Sequence, residues 1–600
     1  MRNFSALGGL RAVVRKLILA LGAMAAVCCL SFIGLAQAQT PPVTFSVYPV
    51  PGTLTASAKT QISFRGGDPA TLGTITVKGS KSGTHAGTLK PHSDGLGASF
   101  VPTKPFTANE KVTVTTDDQI VGTAAGDYSF SIGESTGRKN RPVEGAMVGN
   151  GTVQGFKTRR DLAPPSLTVT TNKPGTAPGL IFLAPKGGRG QDGPMIVDNS
   201  GKLIWFKPME GKLAADFRVQ TYNGQPVLTW WEGVLYGGDG DGVGQILDSS
   251  YTPIAQVHAG NGYSFDIHEF TITPQNTALV IAYERDKRDL RKWGGRKDAR
   301  VVDNIIQEID LKTGLVLFEW HSFGNVSPAD SYTPPPKENG FEWEYFHANA
   351  VTIDTDGNFL VSGRNVSTIY KINRATGKIM WRLGGKHSDF KLGKGVRFDY
   401  QHNIRRQADG TLTLFDNSAA PPTKKASRAI TIRLDEQAKT ATLVNAFTHP
   451  DKLLSSSQGN NERLPNGDEF VGWGSQRYFT EFSPTGEVLF DGHLAKGNDN
   501  YRAFRYEWSG RPTTPPKAIA STKSGSITAT VSWNGATGVA RWELLAGADA
   551  NTLAPIGSAN RAGFETSITA KSTAAVVALR AYDAAGNVLG TSPAITPTRA

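Results

Sequence analysis

Between about residue 166 and residue 508 the chain repeats itself. One recurring element is a polar turn, a glycine and a strand-like run that often ends in an aromatic. It reads Asp198-Asn-Ser-Gly-Lys-Leu-Ile-Trp-Phe, Asp310-Leu-Lys-Thr-Gly-Leu-Val-Leu-Phe, Asn373-Arg-Ala-Thr-Gly-Lys-Ile-Met-Trp and Ser483-Pro-Thr-Gly-Glu-Val-Leu-Phe, with weaker copies at Ser250 and Asp435. A second element alternates with it: Asn223-Gly, Pro274-Gln-Asn, Asp356-Gly, Asp409-Gly and Asn466-Gly, each followed by a strand-favouring run. Two hairpin signals per unit imply four strands, too few to bury their own apolar faces. Six such units, spaced by roughly 50 to 60 residues, predict an all-β chain built on a six-bladed β-propeller over 166–508.

Three histidines occupy one place in consecutive units. They are His268 in Asp-Ile-His-Glu-Phe, His347 in Tyr-Phe-His-Ala-Asn-Ala-Val and His402 in Tyr-Gln-His-Asn-Ile-Arg, each just before a turn and a further strand. In a ring of blades the innermost strands line the axis, so side chains in one register converge there. The three fall on the presumed second, third and fourth units. The same register in the next unit is Ser457-Gln-Gly-Asn-Asn-Glu, polar but without histidine. Arg364 ends the strand after His347, and a hairpin of that length returns it beside the histidine.

The flanks differ from the middle. Residues 41–133 carry alternating strand-rich runs such as Gln61-Ile-Ser-Phe and Lys111-Val-Thr-Val-Thr, which fit an immunoglobulin-like β-sandwich. A polar, glycine-rich linker over 134–165 follows. Residues 511–600, with Thr528-Ala-Thr-Val-Ser-Trp and Ala575-Val-Val-Ala-Leu-Arg-Ala-Tyr, resemble a fibronectin type III-like sandwich. Residues 1–38 read as an export signal: Arg2, Arg11, Arg15 and Lys16 precede an apolar run, and Ala36-Gln37-Ala38 offers a cleavage site. A periplasmic or secreted protein is expected, with no integral membrane span once the signal is removed. Kept, the apolar run would be an anchor.

Cys28 and Cys29 both lie in that signal, so the mature chain has no disulfide, cysteine nucleophile or thiolate metal site. Removing the four signal cations lowers the formal net charge from +12 to +8. The remaining excess suits anionic small molecules or surface polymers, and equally suits solubility alone. There is no nucleic-acid motif, P-loop or Rossmann fingerprint.

Neutral imidazole is a nucleophile, and histidine with arginine can hold an oxyanion, so the cluster suits transfer of a sulfuryl or phosphoryl group. Three histidines can also ligate a metal. Against that, no close His-x-His or His-x3-His pair exists, and Glu269 is the only carboxylate immediately adjacent in sequence to one of the three. Asn349, Asn365, Asn403 and Asn417 are neutral donors nearby, with Asn349 and Asn403 taken as substrate-binding candidates.

At these residues the chain resembles the bacterial arylsulfotransferases, the aryl sulfate sulfotransferases. The resemblance rests on Asp266-Ile-His268, Phe346-His347-Ala-Asn-Ala-Val, Ser362-Gly-Arg364-Asn, Trp381-Arg-Leu-Gly-Gly, Gln401-His402-Asn, Leu414-Phe-Asp-Asn417, Ser427-Arg428 and Leu464-Pro-Asn-Gly. It implies an exported six-bladed enzyme that moves a sulfuryl group from an aryl sulfate donor to a phenolic acceptor. It implies neither a nucleotide sulfate donor, nor a metal, nor any other cofactor. By motif, His402 corresponds to a transiently sulfurylated nucleophile, and His268, His347 and Arg364 to residues that hold the sulfuryl oxygens. Some relatives carry a disulfide and a differently built N-terminal sandwich, so the acceptor range and oligomeric state stay open. Two rival functions share the blade motifs: a non-catalytic propeller that binds surface glycans or proteins, and a quinoprotein dehydrogenase.

Overall fold

A computed structural model describes residues 43–123, 126–138, 151–338 and 340–599. The export signal, both cysteines and the 139–150 part of the expected linker lie outside these residues. The chain is all-β. Among the described residues the only helical elements are the short 3-10 turns Pro69–Thr71, Arg291–Trp293 and Pro328–Asp330. Among the described residues no helix is long and apolar enough to cross a membrane.

The middle of the chain is a succession of four-stranded antiparallel groups. The first joins Leu180–Leu183, Met195–Val197 and Leu203–Phe206 to Phe504–Tyr506, which arrives from the other end of the repeat region. The second runs Leu213–Tyr222, Gln225–Leu235, Gly240–Leu247 and Pro253–Val257. The third runs Phe265–Ile272, Thr277–Arg288, Ala299–Asp310 and Val316–His321, and touches the second through the single pair Gly242 and Phe265. Ala348–Ile353, Phe359–Gly363, Thr368–Ile372 and Ile379–Gly384 form the fourth. The fifth comprises His402–Arg406, Leu412–Asp416, Arg428–Asp435 and Thr440–Phe447. The sixth comprises Asn460–Arg463, Glu469–Gly472, Tyr478–Phe482 and Val488–Leu494, with Leu167–Asn172 along its outer edge.

The strand at the inner edge of each group contacts its counterpart in the next, and Phe504–Tyr506 touches both the second group and the sixth, so the succession closes on itself. The histidines therefore sit on the third, fourth and fifth groups, not the second to fourth. The first group shows the Asp198 turn but not the alternating hairpin signal, because its inner strand comes from the far end.

Turn chemistry sets the hairpins. Gly357 and Gly410 of the Asp-Gly pairs adopt φ of 81° and 79°, a left-handed conformation that glycine takes at no steric cost. The apolar cores lie between adjacent groups. Ala350, Leu360, Ile369 and Trp381 of the fourth pack against Ile404, Leu412, Leu414 and Ile430 of the fifth.

Two sheets flank the ring on each side in sequence. Residues 44–131 form a five-stranded and a four-stranded sheet over one core that includes Phe45, Phe64, Val77, Phe100, Val112 and Phe130. Residues 517–599 form two four-stranded sheets around Val531, Trp542, Leu544 and Leu579. Both are fastened to the ring by hydrogen bonds. Thr55 Oγ1 donates to Asp303 Oδ2 at 2.6 Å, and Asn534 accepts from Phe206 N–H at 3.0 Å and donates to its carbonyl at 2.9 Å.

Trp320 illustrates how groups are joined. Its ring is fully buried in the third group, and its Nε1–H donates to the Gly377 carbonyl of the fourth at 3.0 Å. Replacing a buried tryptophan by alanine removes apolar burial, leaves a cavity and here also strands a carbonyl. Trp320→Ala is expected to lose about 3–5 kcal/mol, read as a lower denaturation midpoint in guanidinium chloride.

Candidate functional site

The innermost strands lose regular pairing where they begin. Register shifts fall between Ala215 and Arg218, between Phe265 and Phe270, between Ala348 and Ala350, and between His402 and Arg405. Non-glycine residues in the left-handed region gather at the same places: Asp216, His347, Asn403 and Gln458 have φ of 56°, 55°, 57° and 66°. Irregular pairing re-aims side chains that a flat ladder would send to the faces of the sheet, and such strain clusters at working sites.

The re-aimed side chains meet. His268, His347, His402 and Arg364 line one cavity of about 290 Å³, together with Lys186, Glu344, Gln458 and Tyr501. The His268 and His347 rings are 4.7 Å apart between centroids, and the His347 and His402 rings 6.5 Å. Tyr283 stacks on His268 at 5.4 Å, and Tyr501 approaches it edge-on at 5.8 Å. Arg364 reaches the site through the expected hairpin: Ala348 pairs with Gly363, and Arg364 N–H donates to the His347 carbonyl at 2.9 Å.

Each imidazole is oriented through Nδ1. His268 bonds Asp266, whose other oxygen accepts Gly240 N–H at 2.7 Å. His347 bonds Glu344 Oε1 at 2.7 Å. His402 bonds Asn417 Oδ1 at 2.7 Å, and Asn417 Nδ2 donates to the carbonyls of Ser455 and Gln458. Because those two donations fix the amide, Oδ1 must face the imidazole, and His402 carries its proton on Nδ1. Its Nε2 lone pair then points into the site, where it accepts Gln458 N–H at 3.1 Å. A histidine held this way is a pre-oriented nucleophile.

Arg364 donates to Asn365 Oδ1 at 2.8 Å and to the Ser456 carbonyl at 2.9 Å, while Tyr400 lies against its guanidinium. Its Nε is buried with no partner among the described residues. A half-buried guanidinium with an unspent donor is suited to an oxyanion.

The asparagines divide. Asn417 and Asn365 buttress His402 and Arg364. Asn349 and Asn403 are not on the cavity wall: Asn349 donates to the Gln401 carbonyl at 2.7 Å, and Asn403 Nδ2 is buried without a partner. Glu269, although next to His268 in sequence, faces away from it into a cluster of arginines, since neighbours on a strand alternate sides. The carboxylates that do serve the histidines are Asp266 and Glu344. Asp266 stands two residues before its histidine, the same-face spacing of a strand. Lys186 and Tyr501 come from distant segments and carry no local signal, whereas Tyr283 stands on the strand that pairs with that of His268. Among the described residues no group of three or more His, Cys, Asp or Glu side chains is arranged to hold a metal ion.

Residues 218–495, which include all four central side chains, match the family described as arylsulfotransferase (ASST). No curated protein matches the chain. Among solved structures, a protein of unknown function from Bacteroides caccae is 13% identical, with 55% of this chain and 98% of that one covered and a TM-score of 0.33. A virginiamycin B lyase from Staphylococcus aureus with quinupristin is 11% identical over 61% and 92% of the two chains, with a TM-score of 0.26.

Burial, reinforced by Arg364 and the neighbouring imidazoles, holds the conjugate acids of His347 and His402 well below the ordinary histidine value of 6.5. Both rings are therefore neutral at that pH, when an unfolded chain is already taking up protons. The sign is fixed: stability that these two groups leave intact at neutral pH is lost as pH falls below 6.5, until the folded protein can protonate as well. In a titration with ¹⁵N-labelled histidine, His402 should keep a protonated Nδ1 and a bare Nε2 through pH 6.5. A ring that charges at the ordinary value contradicts the assignment.

Proposed function

Residues 218–495 belong to the arylsulfotransferase family, and from that premise we propose that the protein moves a sulfuryl group from an aryl sulfate ester to a phenolic acceptor by a ping-pong mechanism. The observation that carries the proposal is a neutral, tautomer-fixed imidazole and a half-buried guanidinium lining one cavity of about 290 Å³. We read the closed succession of four-stranded groups as a six-bladed propeller, and the flanking pairs of sheets as immunoglobulin-like and fibronectin III-like modules. The export signal would place the enzyme in the periplasm or outside the cell.

His402 Nε2 attacks sulfur, the N–S bond forms, and the S–O bond to the aryl group breaks. Phenols ionise near pH 10, so the phenolate is a tolerable leaving group, and it takes a proton from His268, which Asp266 backs. His268, His347 and Arg364 hold the sulfuryl oxygens as their charge rises. The acceptor phenol then returns a proton to His268 as its oxygen attacks the sulfohistidine, the N–S bond breaks, and His402 is restored. Gln458 N–H, which caps Nε2 without ligand, must give way as sulfur approaches.

Incubation with a chromogenic aryl sulfate tests the proposal. Release of the coloured phenol should rise with added phenolic acceptor and vanish in His402→Ala. Loss of one preorganised oxyanion donor costs about 2.7–4 kcal/mol, so Arg364→Ala should slow turnover by roughly a few hundred-fold. His402→Ala with normal transfer would remove His402 from the mechanism.

A further inference from the structure

Beneath the histidines lies a knot of charge that the sulfuryl chemistry does not use. Arg502 is fully buried, donates to Asp216 Oδ1 at 2.9 Å and lies 3.4 Å from Glu269 Oε1. Arg218 meets the same two carboxylates at 3.0 and 2.8 Å, and Arg405 grips Glu269 through both oxygens at 2.9 and 2.8 Å. Against the cost of burial, these arginines hold the Glu269 carboxyl below the usual carboxylate range. Three guanidinium groups thus face two carboxylates. The nearby Glu462, pushed up to about 7 by burial, cancels only part of the excess at neutral pH.

Two arginines suffice to neutralise two acids, and a third buried cation is costly unless something else requires it. The third has a second engagement. Arg502 Nη2 donates to the main-chain carbonyl of His268 at 3.0 Å and to that of Asn349 at 2.9 Å. One planar fork therefore spans the strand that bears His268 and the strand that His347 opens. Both are strands whose own pairing is broken at that point. Its neighbour Tyr501 donates to the same His268 carbonyl at 3.1 Å.

The geometry points to Arg502 as a positioning residue that sets the spacing of the His268 and His347 rings from below, through their main chains. Acting there, it supplies the order that the missing ladder bonds do not. The inference rests on the proposed sulfuryl transfer for its kinetic arm, but not for its spectroscopic one.

Arg502→Met leaves Arg218 and Arg405 to balance Asp216 and Glu269, so the fold is expected to persist. Small displacements of reacting groups cost on the order of 10²-fold, so phenol release in single turnover should fall by that order while donor KM changes little. Arg502→Lys, which restores charge but not the planar fork, should recover only part of the rate. In ¹⁵N-histidine spectra the His268 and His347 signals should move, while His449, remote from the knot, stays fixed. Arg463→Met, which breaks a similar arginine–carboxylate pair with Glu469, should leave both site signals in place. Unchanged His268 and His347 signals in folded Arg502→Met overturn the inference, whether or not the protein transfers sulfuryl groups. A rate loss that merely tracks a lowered melting temperature overturns it too. If the wild type shows no transfer, the function fails and the spectra alone decide the positioning.

Discussion

The site depends on strands that stop pairing regularly before they end. A continuous antiparallel ladder would send alternate side chains to the two faces of each group, where they would join the cores between groups. The breaks at Ala215, Phe265, Ala348 and His402 turn that ladder aside near the axis. From the same irregular segments come both the groups that line the cavity, His268 and His402, and the charges beneath it, Asp216, Glu269 and Arg405. One backbone device thus builds two layers, an upper one of imidazoles and a lower one of ion pairs. Closure of the ring makes both possible, because only a closed ring brings the starts of separate strands within a few ångströms of each other.

Electrostatics then decides what the upper layer can do. Burial keeps His347 and His402 uncharged, so the cavity offers lone pairs as well as positive charge. Arg364 provides permanent charge and an unspent donor, and Lys186, paired with Asp499, lines the same cavity. In the proposed reaction, nucleophile and oxyanion holder are therefore separate groups held apart by the scaffold. Asn417 fixes which nitrogen of His402 keeps its lone pair, a role a carboxylate would fill less well, since it would favour the charged ring. Asp266, by contrast, stands behind His268, to which the proposed reaction gives the proton transfer.

Much of this was legible in the chain before any coordinates. Glycine-bearing turns at steady intervals required many short strands, and three histidines in one register required a common axis. Arg364 was placed beside His347 by hairpin length alone. What escaped was whatever depends on contacts between distant segments. The first group shows only one of the two hairpin signals, because Phe504–Tyr506 completes it from the far end. Glu269 is next to His268 in sequence, yet strand alternation makes Asp266 its partner. Asn349 and Asn403 look equivalent to Asn417 in sequence, but only Asn417 touches an imidazole. Tyr501 and Arg502 carry no motif that links them to histidines more than a hundred residues away.

The central claim is that His402 bonds covalently to sulfur. Quenching the protein within milliseconds of mixing with an aryl sulfate, without acceptor, and mapping its peptides by mass spectrometry tests this directly. A sulfuryl-mass adduct should appear on the peptide containing His402, and a phenolic acceptor should discharge it. Transfer that proceeds with no adduct, or with the adduct on another residue, contradicts the account.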